Sequence, residues 1–285
     1  MHPSIYMLEK ELIENKNVTR IPLFLLVCGT LLFISLLMNN TLQHNLFFEM
    51  EFGGDISDVH IEFVDDFNTF IIMLVGFISL MLSSLYFPRT FRKERKEGSS
   101  MFWRSMPVTN NMTHIVKLGF GLFVIPVVCS VLVICADALL WGLNLATENR
   151  LALLFEQRSL GYAVQHWLNY LSIMWVIAVT MLPLACFTLV ISQIFNSPIL
   201  VMFVGGFVLK WISIVMLNSD IVGEFYHAIF NLPLQLMTSS NMFTAFEGAG
   251  WGNLFVYIMI GIASYWISHK LYSTDELSLK SLLTR

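Results

Sequence analysis

Six apolar runs, at roughly residues 21–38, 67–87, 118–142, 167–192, 199–217 and 251–269, with only Asp137 and Lys210 charged among them, decide what this chain can become. Each is long enough to cross a hydrocarbon layer ~30 Å thick as a helix rising ~1.5 Å per residue. A soluble fold of 285 residues has too little interior to hide 56% hydrophobic residues while carrying only 13% charged ones, and the charges here are bunched between the runs. The expectation is an all-α membrane protein, a single transmembrane domain over residues 1–285 that is solvated by lipid.

Six crossings put both termini on one side, and the basic residues say which. The N-terminal segment holds three, the loop from Pro88 to Lys117 seven and the tail from Lys270 three, while the opposite loops hold only Arg150 and Arg158. Since Lys and Arg accumulate in cytoplasmic loops, both termini are expected in the cytoplasm. Trp141, Trp167 and Trp251 then fall at the outer interface and Tyr86 and Tyr272 at the inner one, as an aromatic belt requires. The first twenty residues carry acids and no small-residue cleavage site follows the first run, so the N-terminus is expected to be retained. Within residues 1–20, Ile5, Leu8, Leu12 and Ile13 recur at helical spacing while Glu9, Glu11, Glu14 and Lys16 take the other positions, which predicts an interfacial helix lying on the membrane. Pro22 suits the first turn of the span that follows.

Two outer segments stand apart. The stretch 39–66 carries seven acids and no Lys or Arg, a pattern that solubilises an external loop and is also able to gather cations at an outer mouth. The stretch 218–250 also lacks Lys and Arg yet holds Ile221, Phe225, Ile229, Phe230, Leu236, Phe243 and Phe246. It is too apolar for a solvated loop and is read as re-entrant or interfacial helices packed on the bundle, a membrane-dipping segment before the last span.

Several kinds of chemistry have no residues to stand on. There is no GxxxxGK[ST] phosphate loop, no HExxH, no GxSxG and no paired cysteine cluster, and the seven histidines are isolated along the sequence. Cys28, Cys129, Cys135 and Cys186 lie in apolar runs, where a thiol behaves as a small hydrophobe. A net charge of -4, with basic residues beside spans rather than in a patch, offers nothing to a nucleic acid. The sixteen methionines show no repeated spacing and read as packing.

The informative segment is Phe87-Pro-Arg-Thr-Phe-Arg-Lys-Glu-Arg-Lys-Glu-Gly-Ser-Ser-Met-Phe-Trp-Arg-Ser-Met-Pro-Val-Thr109. It reads as a charged helix halted at Gly98, a short turn carrying Met101, Phe102 and Trp103, and a break at Pro107. The three apolar side chains suit burial by a docking partner or rest on lipid headgroups, with Glu94, Arg95 and Glu97 available to fix register. The string Glu94-Arg-Lys-Glu-Gly98 followed by Phe102-Trp-Arg-Ser-Met-Pro-Val108 resembles the loop between the second and third spans of ABC type-2 transporter permeases. That family also has six spans, cytoplasmic termini, an N-terminal surface helix and a membrane-dipping hairpin before the last span. Ser99 and Ser100 depart from it, standing where the family often has Thr and a further hydrophobic or acidic residue.

The resemblance implies that residues 88–109 hold a coupling helix, with Glu94, Arg95, Glu97, Gly98, Met101, Phe102, Trp103 and Pro107 seated on a separate ATPase. Two ATPase copies and a second permease, identical or related, complete the implied unit. ATP and magnesium would bind the partner, with no cofactor on this chain. The function expected is the translocation pathway of an exporter in a bacterial inner membrane; a membrane-embedded enzyme without a recognisable motif, or a permease-like scaffold or sensor, is the alternative. Inside the apolar runs, Asp137 and Lys210 are the acid and the base, and a structural or gating pair between them is one expectation, separate partners the other. Pro126 and Pro183 are expected to kink their spans, and Gly205-Gly206 to allow close helix approach.

Overall fold

The structure is a computed structural model that describes residues 3–38, 56–96, 109–146, 160–239 and 241–273. Among the described residues every regular element is helical, and six helices are long and apolar enough to cross a membrane. The chain is therefore an integral membrane protein of the all-α class. In chain order the helices are α1 (Pro3–Glu14), α2 (Asn17–Met38), α3 (Ile56–Lys96), α4 (Asn110–Gly119), a π-helical turn (Phe120–Val124), α5 (Ile125–Ala146) and α6 (Leu160–Ile194). They continue with α7 (Pro198–Leu217), α8 (Ile221–Thr238), α9 (Met242–Ala249) and α10 (Trp251–Ser273).

By its internal contacts the chain divides into two compact units, and three of the four points where it passes between them fall within helices. The first comprises residues 1–15, 80–125 and 175–285, the second residues 16–79 and 126–174. In the first unit α1 and α10 pack on α4, while α8 and α9 pack on each other and on α10. The apolar stretch 218–250 thus forms two helices seated on the bundle, burying Ile229, Leu232, Leu236, Met237, Ala245 and Ala249. In the second unit Gly29 faces Leu139 and Gly142 faces the Phe33 ring, so small residues let α2 approach α5. Its core is built on Ile72, Val75, Cys129, Val133, Tyr170 and Met174.

Several expectations are corrected. Residues 3–14 do form a helix, but Ile5 and Ile13 of the apolar stripe are exposed while Glu11, assigned to the polar face, is 4% exposed. The helix is anchored to protein through a charge and offers its apolar side outward. Tyr86 and Tyr272 do not face the lipid interface but are buried in the first unit, whereas Trp141 and Trp251 are exposed. Since α2 begins at Asn17, Pro22 lies beyond the first turn. The second span's helix continues through Lys96, and the third begins at Asn110, eight residues before its apolar run. Gly206 lies in ordinary contact with Tyr226, and among the described residues nothing would come within 4 Å of a side chain at Gly205.

A proline in a span leaves carbonyls without donors, and both expected sites show the repair. Ahead of Pro126, the Ile125 N–H bonds back to the Phe120 carbonyl, a π-type step. The Gly121 carbonyl is then left without a helical donor, since the N–H of residue 125 is taken and Pro126 has none. The Ser83 hydroxyl donates to it at 2.6 Å. A side chain at Gly121 would overlap the Phe87 ring, so glycine is required for α3 to approach. At Pro183 the following N–H, of Leu184, donates to the Tyr257 hydroxyl at 3.2 Å, and Gly261 leaves room for the proline itself.

Ser83→Ala removes the hydroxyl that serves the Gly121 carbonyl, and an unsatisfied buried acceptor costs about 1–3 kcal/mol. Gly205→Ala, with open space around it, should instead stabilise the helix by about 0.5–1 kcal/mol. Thermal unfolding in a mild detergent reads both; equal shifts for the two would remove the assigned role of Ser83.

Candidate functional site

A buried charge cluster in the first unit joins the C-terminal end of α3 to α4. Thr109 caps α4, its hydroxyl accepting from the Met112 N–H at 3.4 Å. This start point places Lys117 two turns inside the helix, where it is 1% exposed. An ammonium has three N–H donors and no acceptor, and Lys117 spends all three within protein. Nζ donates to Glu11 Oε1 at 2.8 Å, to Glu94 Oε1 at 2.9 Å and, at 3.5 Å, to the Thr90 hydroxyl, with the Phe91 ring 5.0 Å away.

The carboxylates are held as fully. Glu11 Oε2 accepts from the Tyr86 hydroxyl at 2.9 Å and the Asn15 amide at 3.2 Å. Glu94 Oε1 also accepts from Lys10 at 2.9 Å, and Lys10 lies 3.6 Å from Glu14. Lys93 in turn donates to the Glu14 carbonyl at 3.0 Å. Two ammoniums face two buried carboxylates at the centre, so charge is balanced where water is excluded, the condition under which a buried pair survives its desolvation. The consequence is mechanical: Glu94 on the outgoing helix and Lys117 on the returning one are bonded to each other and to α1.

Beside it, His114 lies fully buried between Phe91 and Tyr272. With Nδ1 donating to the Asn110 carbonyl at 2.9 Å, Nε2 accepts from the Ser268 hydroxyl at 3.0 Å, and Ser268 accepts from Gln193 at 2.8 Å. This is a serine beside a histidine, but both are fully buried. The arrangement joins α4, α10 and α6; a substrate has no way to reach it in this conformation.

The second unit carries its own polar group. His166 Nδ1 lies 2.8 Å from Asp137 Oδ2, and Nε2 is 3.4 Å from the Asn68 carbonyl. Asn68 also donates from its amide to the Tyr162 hydroxyl. Trp167 donates to Ser130 at 3.0 Å. Asn68, Tyr162 and His166 line a recess of about 690 Å³.

The structure thus gives Asp137 and Lys210 partners other than each other. Asp137 is bonded to His166, and Lys210 extends along α7 to lie 3.5 Å from Asp220, just past the helix end, a half-exposed pair. A long flexible stem explains the reach. Among the expected coupling residues, Glu94 is placed at the end of α3 and Arg95 continues that helix; Glu97, Gly98, Met101, Phe102, Trp103 and Pro107 lie outside the described residues. So do residues 39–55 of the acidic stretch, Arg150 and Arg158. Among the described residues no three His, Cys, Asp or Glu side chains converge as a metal site.

Lys117, Glu11, Ser268 and His166 were not singled out by their sequence positions. The one available signal was Thr109 followed by two asparagines, a helix start that moves Lys117 from loop to helix interior. Comparison with protein-family models, curated proteins and solved structures finds no match for this chain.

Lys117→Met leaves two carboxylates buried without their shared cation and should cost about 3–5 kcal/mol, the scale for breaking a buried pair from one side. Adding Glu11→Gln and Glu94→Gln to it should restore much of that loss. Thermal unfolding of the single and triple variants measures the recovery, and additive losses would show that the three groups do not act as a unit.

Proposed function

We propose that this chain is the permease subunit of an ATP-binding cassette exporter, forming the translocation pathway and receiving the work of a separate ATPase through residues 88–109. The observation that carries the reading is the 2.9 Å bond between Glu94 and Lys117, one on each side of that segment. A coupling loop must pass displacement to the helices on both sides of it. Two helices joined by a desolvated ion pair move together, so a push on residues 97–108 is delivered to α3 and α4 as one body rather than absorbed by bending.

The motif Glu94-Arg-Lys-Glu-Gly98 with Phe102-Trp-Arg-Ser-Met-Pro-Val108 supports the same reading, as does the excess of basic residues in this loop and at both termini, which fits a cytoplasmic ATPase. In the working unit two ATPases would hold ATP and magnesium, and a second permease would complete the pathway. Helices α2 and α7 have only 11% and 6% of their apolar windows buried in the chain, leaving surface for lipid or for that second subunit. Nucleotide-driven closure would bias a two-state element between inward and outward access. The setting proposed is a bacterial inner membrane with cytoplasmic termini.

Purification of the tagged full-length chain from its native host should bring down a nucleotide-binding subunit whose ATPase activity remains with the complex. Glu97→Arg combined with Trp103→Ala should release that subunit. Lys117→Met should leave it bound while lowering stimulated hydrolysis by about tenfold or more, a loss of ~1.4 kcal/mol of coupling. Recovery of the chain alone, with no ATPase activity before or after mild crosslinking, would overturn the reading.

A further inference from the structure

The second unit carries a row of polar side chains that runs along α6 into its apolar run. On α6, Gln165, Asn169 and Ser172 are separated by four and three residues, which puts them on one face of the helix, and all three are exposed. Thr69, exposed on α3, and Asn68 and Tyr162 complete the same wall. Asn169 and Ser172 lie two and five residues inside the apolar run that begins at residue 167, or roughly 3 and 7.5 Å along the axis, with Gln165 just ahead of it.

The amides decide the matter. Gln165 and Asn169 have no hydrogen-bond partner among the described residues. The Ser172 hydroxyl donates to the Leu168 carbonyl at 2.8 Å and keeps an acceptor to offer. Hydrocarbon solvates none of these groups, and polar side chains within spans lie against water or protein rather than lipid. The recess they border, about 690 Å³, is within the size range of small-molecule sites, roughly 300–1,000 Å³.

We propose that this recess is a water-filled binding site for an uncharged group rich in hydroxyls or amides. Among the described residues no Lys, Arg, Asp or Glu lines it, and the nearby carboxylate, Asp137, is 3% exposed and bonded to His166. Among these described side chains a charged solute would meet no opposite charge in return for its lost hydration. Amides and hydroxyls each donate and accept, and the wall offers both roles to a ligand that does the same. The ligand is a free polyol or the sugar-like head of an amphiphile, two sources of one chemistry. The proposal stands independently of the ATPase reading.

The test uses the full chain in lipid nanodiscs without any ATPase, so its outcome is separate from that of the transporter proposal. Gln165→Cys, Asn169→Cys and Ser172→Cys are made singly, with Val179→Cys as the apolar-face comparison, in a background of Cys28→Ala, Cys129→Ala, Cys135→Ala and Cys186→Ala. A hydrophilic maleimide that does not partition into lipid should label the first three and spare position 179. Glucose or octyl glucoside near ten times its Kd should slow labelling about tenfold, by simple occupancy, while octyl sulfate and octyltrimethylammonium should not. Protection by glucose identifies a free solute; protection by octyl glucoside alone identifies an amphiphile head. If the cysteine-free background fails to fold, Asn169→Cys is read against the labelling of the unsubstituted protein. Absence of labelling at all three positions, disulfide-linked dimers in its place, equal labelling at 179, or protection by neither sugar or equally by the charged amphiphiles would overturn the proposal.

Discussion

Lys117 sits in the first unit with every N–H spent on protein, and the arrangement around it is a consequence of that constraint. Neither hydrocarbon nor a packed core tolerates an unpaired ammonium, so α1 must present Glu11 and α3 must present Glu94 at the same point. Glu11 in turn has Tyr86 and Asn15 to occupy its second oxygen, and Lys10 shares Glu94. Each partner therefore fixes the azimuth of its own helix. The apolar stripe of α1 faces outward because the charge, not the stripe, determines which side meets protein. A hydrophobic contact allows rotation and sliding at small cost; a desolvated ion pair with all donors assigned does not. That difference converts three helices near a membrane surface into one rigid base.

Backbone satisfaction is the second constraint, and it is met by the same economy of means. Pro126 and Pro183 each interrupt a ladder of hydrogen bonds where no water is at hand. In the first case a π turn moves the deficit to the Gly121 carbonyl, which Ser83 covers; in the second, Tyr257 receives the displaced Leu184 N–H. Both repairs need close approach, and both are accompanied by a glycine, Gly121 under Phe87 and Gly261 against Pro183. A proline in a span is therefore a local event with a distant requirement, since the residue that compensates it comes from another helix.

This explains which features were legible in the sequence. Spans announce themselves because length and apolarity are properties of a contiguous run, so the six-helix class could be read directly. The helical nature of 218–250 followed from the same logic, since Phe225, Ile229 and Leu236 had to be hidden somewhere. Pairings were not legible. Glu11 and Lys117 are 106 residues apart, and nothing in the neighbourhood of either marks the other. In sequence Lys117 reads as the edge of a span because charge ordinarily marks one, whereas the Thr109 cap shows that the helix begins two turns earlier. Asp137 and Lys210 looked like partners because each was the conspicuous charge in an apolar run. A histidine supplies the partner in one case: His166 stands just ahead of its run and meets Asp137. The Lys210 case is different, because the length of its stem lets it leave its own depth for Asp220.

The two units also treat polarity in opposite ways, and the contrast bears on how a membrane protein can act. In the first unit polar groups are closed on one another: Lys117 with its carboxylates, His114 with Ser268 and Gln193. Closed networks resist rearrangement, because opening one exposes several unsatisfied groups at once, and so they suit a part that transmits force. In the second unit Gln165 and Asn169 are left open toward the recess, and the charged residue nearby, Asp137, is held by His166 behind the wall. Open, neutral, two-way hydrogen-bonding groups suit a part that meets many orientations of a solute and releases it, since no single bond dominates. A chain that had to couple a force to a passage would separate these two behaviours, rigid where it is pushed and unfulfilled where it binds.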